Sequence, residues 1–599
     1  MKSFGQHLVN AVLPPDKRDR GPLTKGNLTG MLAEMAREKP EDYGQHVSRL
    51  KRLGDEVSTL EGISVGLDDI EPRIAARDAV LAPHLAAFDA ARTDDEREKA
   101  LLAGQRAILE HTKTHPGAMS EMARSGGRGN FAQLMKIVAS PVAARDETDR
   151  VTPWPIRRSY SEGLRPSEAW VAGNEARIDT IRSNIAVVEP GDLAKILINN
   201  MSDHVVTSPD CGTHNGVSLP GNSSDLVDRF LAEPAAGIPA GTQVTPAVAA
   251  KLRNVAHVVV RSPMTCGLHD GLCQRCAGLS PLGNLHPIGT NVGLRSAQAM
   301  AEPLTQMALS AKHGGQLAKG NNEPTIEGVK GVRQLIEIPN SFTHRATLAE
   351  RQGTVTAVHA APQGGHNVLV EDEEHYVPPE LSVTVRPGDR VAAGDALSNG
   401  VPKPDDVVRH KGLGAGRDYL VGALRRLYAD KGIDLDRRHF ETLAKSVLNH
   451  MYVADADPET HPGFLRGDVV SYNAVRDSLA KSAREVPVHD AVGETLSHEV
   501  RHWTAGTRVT PEMADAFARQ GITTVRVADN APVLEPVMRP ATRTPLLNPD
   551  WMARLGHRYL RESLLAGAHR GDISNIHGTH PVPAYAHGAE FGQGEEGKY

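Results

Sequence analysis

The sequence predicts a multidomain α+β protein with long helices, a small β-rich domain and a four-cysteine zinc module. Three observations lead there. The chain has 599 residues, room for roughly four domains at about 150 residues each. Ala-, Leu-, Glu- and Arg-rich segments of helical periodicity alternate with a valine-rich stretch at 353–399 broken by glycine and proline. All four cysteines fall between positions 211 and 276.

Composition narrows the class. Hydrophobic residues make up 40% and charged residues 23%, which excludes a fibrous or wholly disordered chain. Aromatics are only 4%, so the cores must be built from Ala, Val, Leu and Ile. The net charge of −6 gives no electrostatic reason to expect nucleic acid. The basic pairs Arg157/Arg158, Arg425/Arg426 and Arg437/Arg438 read as solvated helix faces. No apolar core of a signal peptide follows Met1, and no run approaches the roughly 18 apolar residues of a membrane span. The expectation is a cytoplasmic protein with reduced thiols and no membrane partner.

From the N-terminus, Glu71–His115 reads as a helical hairpin, with Thr93-Asp94-Asp95 capping its second arm. Glycines at 126, 127 and 129 precede an amphipathic run at Phe131–Val138. Pro166–Met201 is the longest helical pattern, with Ser167 as its expected N-cap and Ile178, Ile181 and Ile185 at helical spacing. Pro190 in Glu189-Pro190-Gly191 should kink or break it, because proline cannot donate to the carbonyl four residues back; two helices joined by a loop is the plainer reading. Ala240-Gly241-Thr242-Gln243-Val244-Thr245-Pro246 repeats as Ala505-Gly506-Thr507-Arg508-Val509-Thr510-Pro511, each followed by a short helix and a β-rich run. These are two small α+β modules of similar build. Between them, Val355, Val358, Val368 and Val370 suggest a small barrel or sandwich, and Asp405–Val453 returns to helix. The tail from His587 to Tyr599 is expected to be disordered.

The cysteines form a Cys-x6-Cys-x2-Cys cluster at Cys266, Cys273 and Cys276, preceded by Cys211 with 54 residues between. A Cys-x2-Cys knuckle sets two thiolates on one side of a tight turn, as tetrahedral Zn²⁺ requires, and four thiolates leave no open position for catalysis. The alternatives are disulfides, disfavoured in a reducing compartment, and unrelated buried thiols, which leave the knuckle unexplained. His269 is the nearest competing ligand.

Two motifs point elsewhere. His498-Glu499-Val500-Arg501-His502 matches the His-Glu-x-x-His pattern of zinc hydrolases. Thr504-Ala505-Gly506 ends any helix at once, so the plainer reading is a charged surface helix turn. Gly412-Leu413-Gly414-Ala415-Gly416 has glycine-loop composition but follows a helical run rather than a strand.

Residues 205–315 resemble the C-terminal half of the β′ subunit of multisubunit DNA-directed RNA polymerase. Val205–Thr213 is similar to that family's first zinc-ligand segment, and Arg261–Gly278 to its zinc knuckle. Gly293-Leu294-Arg295-Ser296-Ala297-Gln298-Ala299-Met300-Ala301-Glu302-Pro303-Leu304-Thr305-Gln306 resembles the trigger-loop entry, and Lys312-His313-Gly314-Gly315 the loop itself. The likeness extends, more weakly, through Phe4–Pro15, Ser64–Asp69, Ser125–Gly129, Gly394–Gly400 and Thr579–Gly588.

The resemblance implies a long bridge helix, a trigger-loop helical hairpin, a four-cysteine zinc module, a small β-rich domain and a helical clamp or switch region. It divides the chain into a secondary-channel region (1–152), bridge helix (153–204), zinc module (205–282), trigger loop (283–345), β-rich domain (346–400), switch and clamp helices (401–485), an α+β module (486–535) and a C-terminal region (536–599). It implies that Thr305, Gln306, Leu309 and His313 face the incoming nucleotide, His313 near the β-phosphate, Gln306 at the ribose and Leu309 against the base. A closing lid of this kind supplies positioning and charge neutralisation for phosphoryl transfer. Arg128 and Met122 would line the nucleotide channel, and Arg177, Pro190 and Gly191 would lie on the bridge helix. Cys211, Cys266, Cys273 and Cys276 would hold one structural zinc.

The sequence also departs from the family. Ser310 stands where a positive residue is usual and Lys312 where an aromatic is; the stretch resembling the bridge helix carries Pro190, with Val187 and Val188 where the family has small or hydroxylated residues. The Asn-Ala-Asp-Phe-Asp-Gly-Asp loop that holds catalytic Mg²⁺ does not occur in these 599 residues. The expectation is a split β′, with the Mg²⁺ ligands on another chain. Its partners would be an N-terminal β′ half, β-like subunits and a specificity factor, with template DNA, product RNA and nucleoside triphosphates. The compact stretch from Gly315 to Gly331 and the divergent motifs resemble a large bacteriophage's polymerase, acting in the host cytoplasm or carried in the virion. The competing readings are a zinc metallohydrolase using residues 498–502 and a non-catalytic, zinc-stabilised nucleic-acid-binding module.

Overall fold

The computed structural model describes residues 4–18, 21, 23–146, 150–186, 188–310, 328–457, 459–500, 503–548, 550–555, 560–574 and 578–586. The chain forms two units, one of residues 1–185 with 309–320, the other of 186–308 with 321–599. Among the described residues no helix is long and apolar enough to cross a membrane.

The first unit is helical. The expected hairpin is present as Ile74–Ala90 and Asp94–Thr112. Thr93 caps the second arm: its hydroxyl accepts from the Glu96 amide at 3.3 Å, and the Glu96 carboxylate accepts from the Thr93 amide at 3.2 Å. Leu81, Leu101 and Ile108 from the hairpin pack with Met135 of the helix Phe131–Val138. The helix Pro166–Ala186 starts two residues earlier than an N-cap at Ser167 would place it. Proline therefore takes the first helical position, where its missing N–H is no loss. Ser167 is inside the helix, and Glu168 accepts from the Arg165 amide at 2.9 Å.

In the second unit the next helix runs Val188–Met201. Pro190 does not end it. It lies in the first turn, where a proline costs no intrahelical bond. Residue 187, between the two helical runs, lies outside the described residues. The β-rich stretch is one four-stranded antiparallel sheet, Glu373–Val377, His366–Val370, Gly353–Ala360 and Arg390–Val391 in that order, rather than a barrel or sandwich. Val355, Val368 and Val370 fill its core with Leu381 and Leu397. The helices Pro404–Ala429 and Arg437–Val447 carry the largest core. The first is kinked at Gly412, whose φ of 86° is non-helical, so the glycine cluster makes a bend inside a helix.

The repeated heptapeptides head two copies of one module. In the first copy Gly241 N–H donates to Leu231 O (2.8 Å), Leu231 to Thr242 (2.9 Å) and Val244 to Arg229 (2.8 Å). In the second, Gly506 donates to Leu496 (2.8 Å), Leu496 to Thr507 (2.9 Å) and Val509 to Glu494 (2.8 Å). Every partner is shifted by the same interval. Thr245 and Thr510 then cap the helices Pro246–Leu252 and Pro511–Arg519. Each copy pairs its following strand antiparallel with an earlier one, Val258–Val260 with Val217–Leu219 and Thr524–Ala528 with Ala483–Pro487. The expected pair of similar modules is thus a structural duplication.

Candidate metal centre and its surroundings

The four cysteine sulfurs converge in the second unit. They all lie within 4.8 Å of one another, and Cys211 Sγ is 3.7 Å from Cys276 Sγ. Tetrahedral Zn²⁺ with Zn–S bonds of about 2.3 Å spaces its sulfurs about 3.8 Å apart, so the donor set fits zinc in number, softness and spacing.

Local folding explains the convergence. Leu272–Cys273 pairs in parallel with Val206–Ser208, which brings the Cys211 segment alongside the knuckle. Gly271 makes the approach with φ of 72°, and a Cβ there would run into the Val205 carbonyl. Cys273 then caps the short helix Gln274–Ala277, its sulfur accepting from the Cys276 amide at 3.3 Å. The Gly267 amide donates to Cys211 Sγ and the Cys273 amide to Cys266 Sγ, both at 3.4 Å. Cys266, Cys273 and Cys276 are buried and Cys211 is partly exposed. Hydrogen bonds from the other three thiols push Cys211 far below the usual thiol range. His269 is exposed and pairs with Asp477 instead.

Sequence reasoning missed the charged groups around this cluster. Arg261 is 5% exposed. Its Nε donates to Cys276 Sγ at 3.3 Å, and its Nη2 to Cys211 Sγ at 3.2 Å and Asp210 Oδ1 at 2.7 Å. Burial opposes the charge on Arg261, but the charges of Cys276 and Cys211 and the bond to Asp210 raise its pKa. Lys445 donates to the Cys266 carbonyl at 3.3 Å and Arg476 to the Gly267 carbonyl at 3.0 Å, docking the knuckle on two helices. The basic pair Arg437/Arg438 is not a solvated face. Arg438 donates to the Leu279 carbonyl at 2.8 Å and Arg437 to Glu441 at 2.9 Å. Arg425 likewise pairs with Asp225. Arg157, Arg158 and Arg426 stay exposed.

The remaining expected site residues are spread over both units. Met122 is half-buried and Arg128 exposed; the Arg128 amide donates to the Met122 carbonyl at 3.4 Å, so one turn holds both. Arg177 is exposed on Pro166–Ala186, while Pro190 is buried and Gly191 exposed at the start of Val188–Met201. Thr305 is half-buried on the helix Val292–Ser310, whose Ala297, Met300 and Leu304 are buried in the main core. The side chains of Gln306 and Leu309, and all of Lys312 and His313, lie outside the described residues.

The His-Glu-x-x-His segment is not helical where it is described. Val500 forms a β-bridge with Trp503 instead, so the expected helix turn is corrected: the described residues 498–500 are not helical. A helix is what would bring the two imidazoles to one metal. His502 lies outside the described residues. Glu499 accepts a 2.6 Å hydrogen bond from the buried Tyr472 hydroxyl. It also lines a cavity of about 450 Å³ with Ser218, His257, Met264, Arg417 and Asp418.

Comparison with known proteins gives a consistent result. Residues 163–461 match the family model described as RNA polymerase Rpb1, domain 5. The DNA-directed RNA polymerase subunit beta' of Heliobacterium modesticaldum is 26% identical over 79% of this chain and 44% of its own length. Those of Pelotomaculum thermopropionicum and Renibacterium salmoninarum are each 28% identical, over 69% and 77% of this chain and 38% and 39% of their own lengths. The chain spans about two fifths of the length of these relatives.

Proposed function

Because this chain belongs to the β′ family of DNA-directed RNA polymerase subunits, as a C-terminal β′ part, we propose that it works in template-directed nucleotidyl transfer as part of a multisubunit complex. The observation that carries the reading is the order of its parts. The match at 163–461 takes in the long helical pattern, the four clustered cysteines and the Gln-Ala-Met-Ala-Glu-Pro-Leu-Thr-Gln stretch in one sequence.

In this reading Pro166–Met201 is the bridge helix and 283–345 the trigger loop. Thr305, Gln306, Leu309 and His313 contact the incoming nucleotide when the loop closes, and the His313 imidazole stabilises charge or donates a proton near the β-phosphate. Lys312 supplies the positive charge that Ser310 lacks. Arg128 and Met122 lie on the nucleotide's route in. Cys211, Cys266, Cys273 and Cys276 hold one structural Zn²⁺, which ties distant segments together and takes no part in the chemistry. The catalytic Mg²⁺ is held by aspartates outside these 599 residues, on an N-terminal β′ partner in a split, phage-type enzyme. The other partners are β-like subunits, a specificity factor, DNA, RNA and nucleoside triphosphates.

The test is affinity purification of the tagged chain from its native cell, followed by elongation assays. Recovery of large polymerase-type subunits, with activity lost in His313→Ala while the complex still assembles, is the expected result. A chain recovered alone, or a His313→Ala complex with unchanged nucleotide addition, overturns the proposal.

A further inference from the structure

We propose that Arg261 is the latch of the metal centre: it clamps Cys211, the one ligand remote in sequence, onto the Cys266/Cys273/Cys276 knuckle and makes zinc release slow. The proposal rests on the zinc reading above and concerns this chain's own residues around that ion.

The geometry carries it. One guanidinium reaches three of the four sulfurs: Cys276 at 3.3 Å, Cys211 at 3.2 Å and Cys273 at 3.6 Å. The same Nη2 that meets Cys211 also meets Asp210 Oδ1 at 2.7 Å. Asp210 is the residue before Cys211, so its carboxylate and the adjacent thiolate are gripped together. Arg275 holds the other Asp210 oxygen at 3.2 Å, which fixes that carboxylate from the knuckle side. The remaining knuckle ligand, Cys266, has its carbonyl held by buried Lys445 at 3.3 Å.

The charges point the same way. Zinc with four thiolates carries a net charge of −2, which is costly to bury unless compensated. Arg261, Arg275 and Lys445, set against Asp210, offset it. Hydrogen bonds to a thiolate sulfur also withdraw charge and make it a poorer nucleophile, so it is less open to alkylation or to protonation as zinc leaves. Cys211 has most need of this. It is the least buried of the four, and only chain closure over 54 residues brings it to the others. A lysine could not do the same work. Its ammonium is a single point, whereas the planar fork of arginine meets acceptors in several fixed directions.

The experiment uses the full chain. Zinc content of the native protein is measured first, then zinc transfer to the chromophoric chelator 4-(2-pyridylazo)resorcinol for native, Arg261→Lys and Arg261→Met. In parallel, iodoacetamide alkylation is mapped by peptide mass. The expected result is native-like zinc content, release about tenfold or more faster in Arg261→Met and intermediate in Arg261→Lys, with Cys211 alkylated first. If Arg261→Met does not fold, Asp210→Asn takes its place, with faster release and Cys211-first alkylation again expected. Release within twofold of native, or equal alkylation of all four cysteines, overturns the latch. A native chain that holds no zinc overturns the zinc reading itself, and the proposal with it.

Discussion

Arg229 and Glu441, 212 residues apart in the chain, form a two-pronged ion pair at 2.7 and 3.0 Å with side chains 1% and 0% exposed. Ser262, next to the latch arginine, donates to the same carboxylate at 2.8 Å, and Arg437 donates from one turn away at 2.9 Å. This pair joins the first copy of the duplicated module to the helix Arg437–Val447. A buried pair of this kind is costly to break from one side, because the partner is left charged and dry. Glu441→Leu should therefore destabilise the second unit by about 3–5 kcal/mol. Arg229→Met with Glu441→Leu together should cost less than the sum of the singles. Denaturant unfolding of the four proteins in a double-mutant cycle measures this.

The metal centre gives a stoichiometric prediction. Atomic absorption should find about one zinc per chain. Cys276→Ser should lose it and unfold at lower temperature, whereas His502→Ala should keep both zinc and stability. Loss of zinc in His502→Ala would move the metal to the His-Glu-x-x-His segment.

Acid sensitivity should centre on His450. Its Nδ1 is buried with no hydrogen-bond partner among the described residues. Burial, then the charges of Arg539 and Arg417, push its pKa from 6.5 down to about 4, with Asp203 opposing. The unfolded chain therefore takes up this proton before the folded one does. Stability from this group is complete above pH 6.5 and is lost as pH falls toward 4, by about 3 kcal/mol. His450→Gln should flatten the unfolding midpoint across that window relative to the native chain.

In the first unit, Thr93→Ala removes one half of a reciprocal cap. It should lower stability by about 1 kcal/mol. Glu96→Gln, which keeps an acceptor oxygen for the Thr93 amide, should cost less. Thermal unfolding followed by far-ultraviolet circular dichroism reads both.

What the sequence by itself determined is local or strictly spaced. The cap signal Thr93-Asp94-Asp95, the amphipathic run Phe131–Val138 and the two repeated heptapeptides were legible because caps, turns and helical periodicity act within a few residues. The zinc ligands were legible because a Cys-x2-Cys knuckle carries its own geometry. The family resemblance drew on residue order alone. The interruption of the long helical pattern near Pro190 was also legible: the described residues form two helical runs, Pro166–Ala186 and Val188–Met201, with the proline in the first turn of the second. A local rule erred at the other motif. The 498–502 segment matches a helical motif, but its described backbone follows the module around it.

Only the tertiary structure decided the charged groups. Arg229, Arg261, Lys445 and Arg438 look like any surface cation in a sequence, since nothing nearby in the chain tells of a distant carboxylate, sulfur or carbonyl. Arg229 meets Glu441 212 residues away, Lys445 the Cys266 carbonyl 179 away, Arg438 the Leu279 carbonyl 159 away and Arg261 the Cys276 sulfur 15 away. A buried charge is tolerated only where such partners meet it, and the fold alone brings them together.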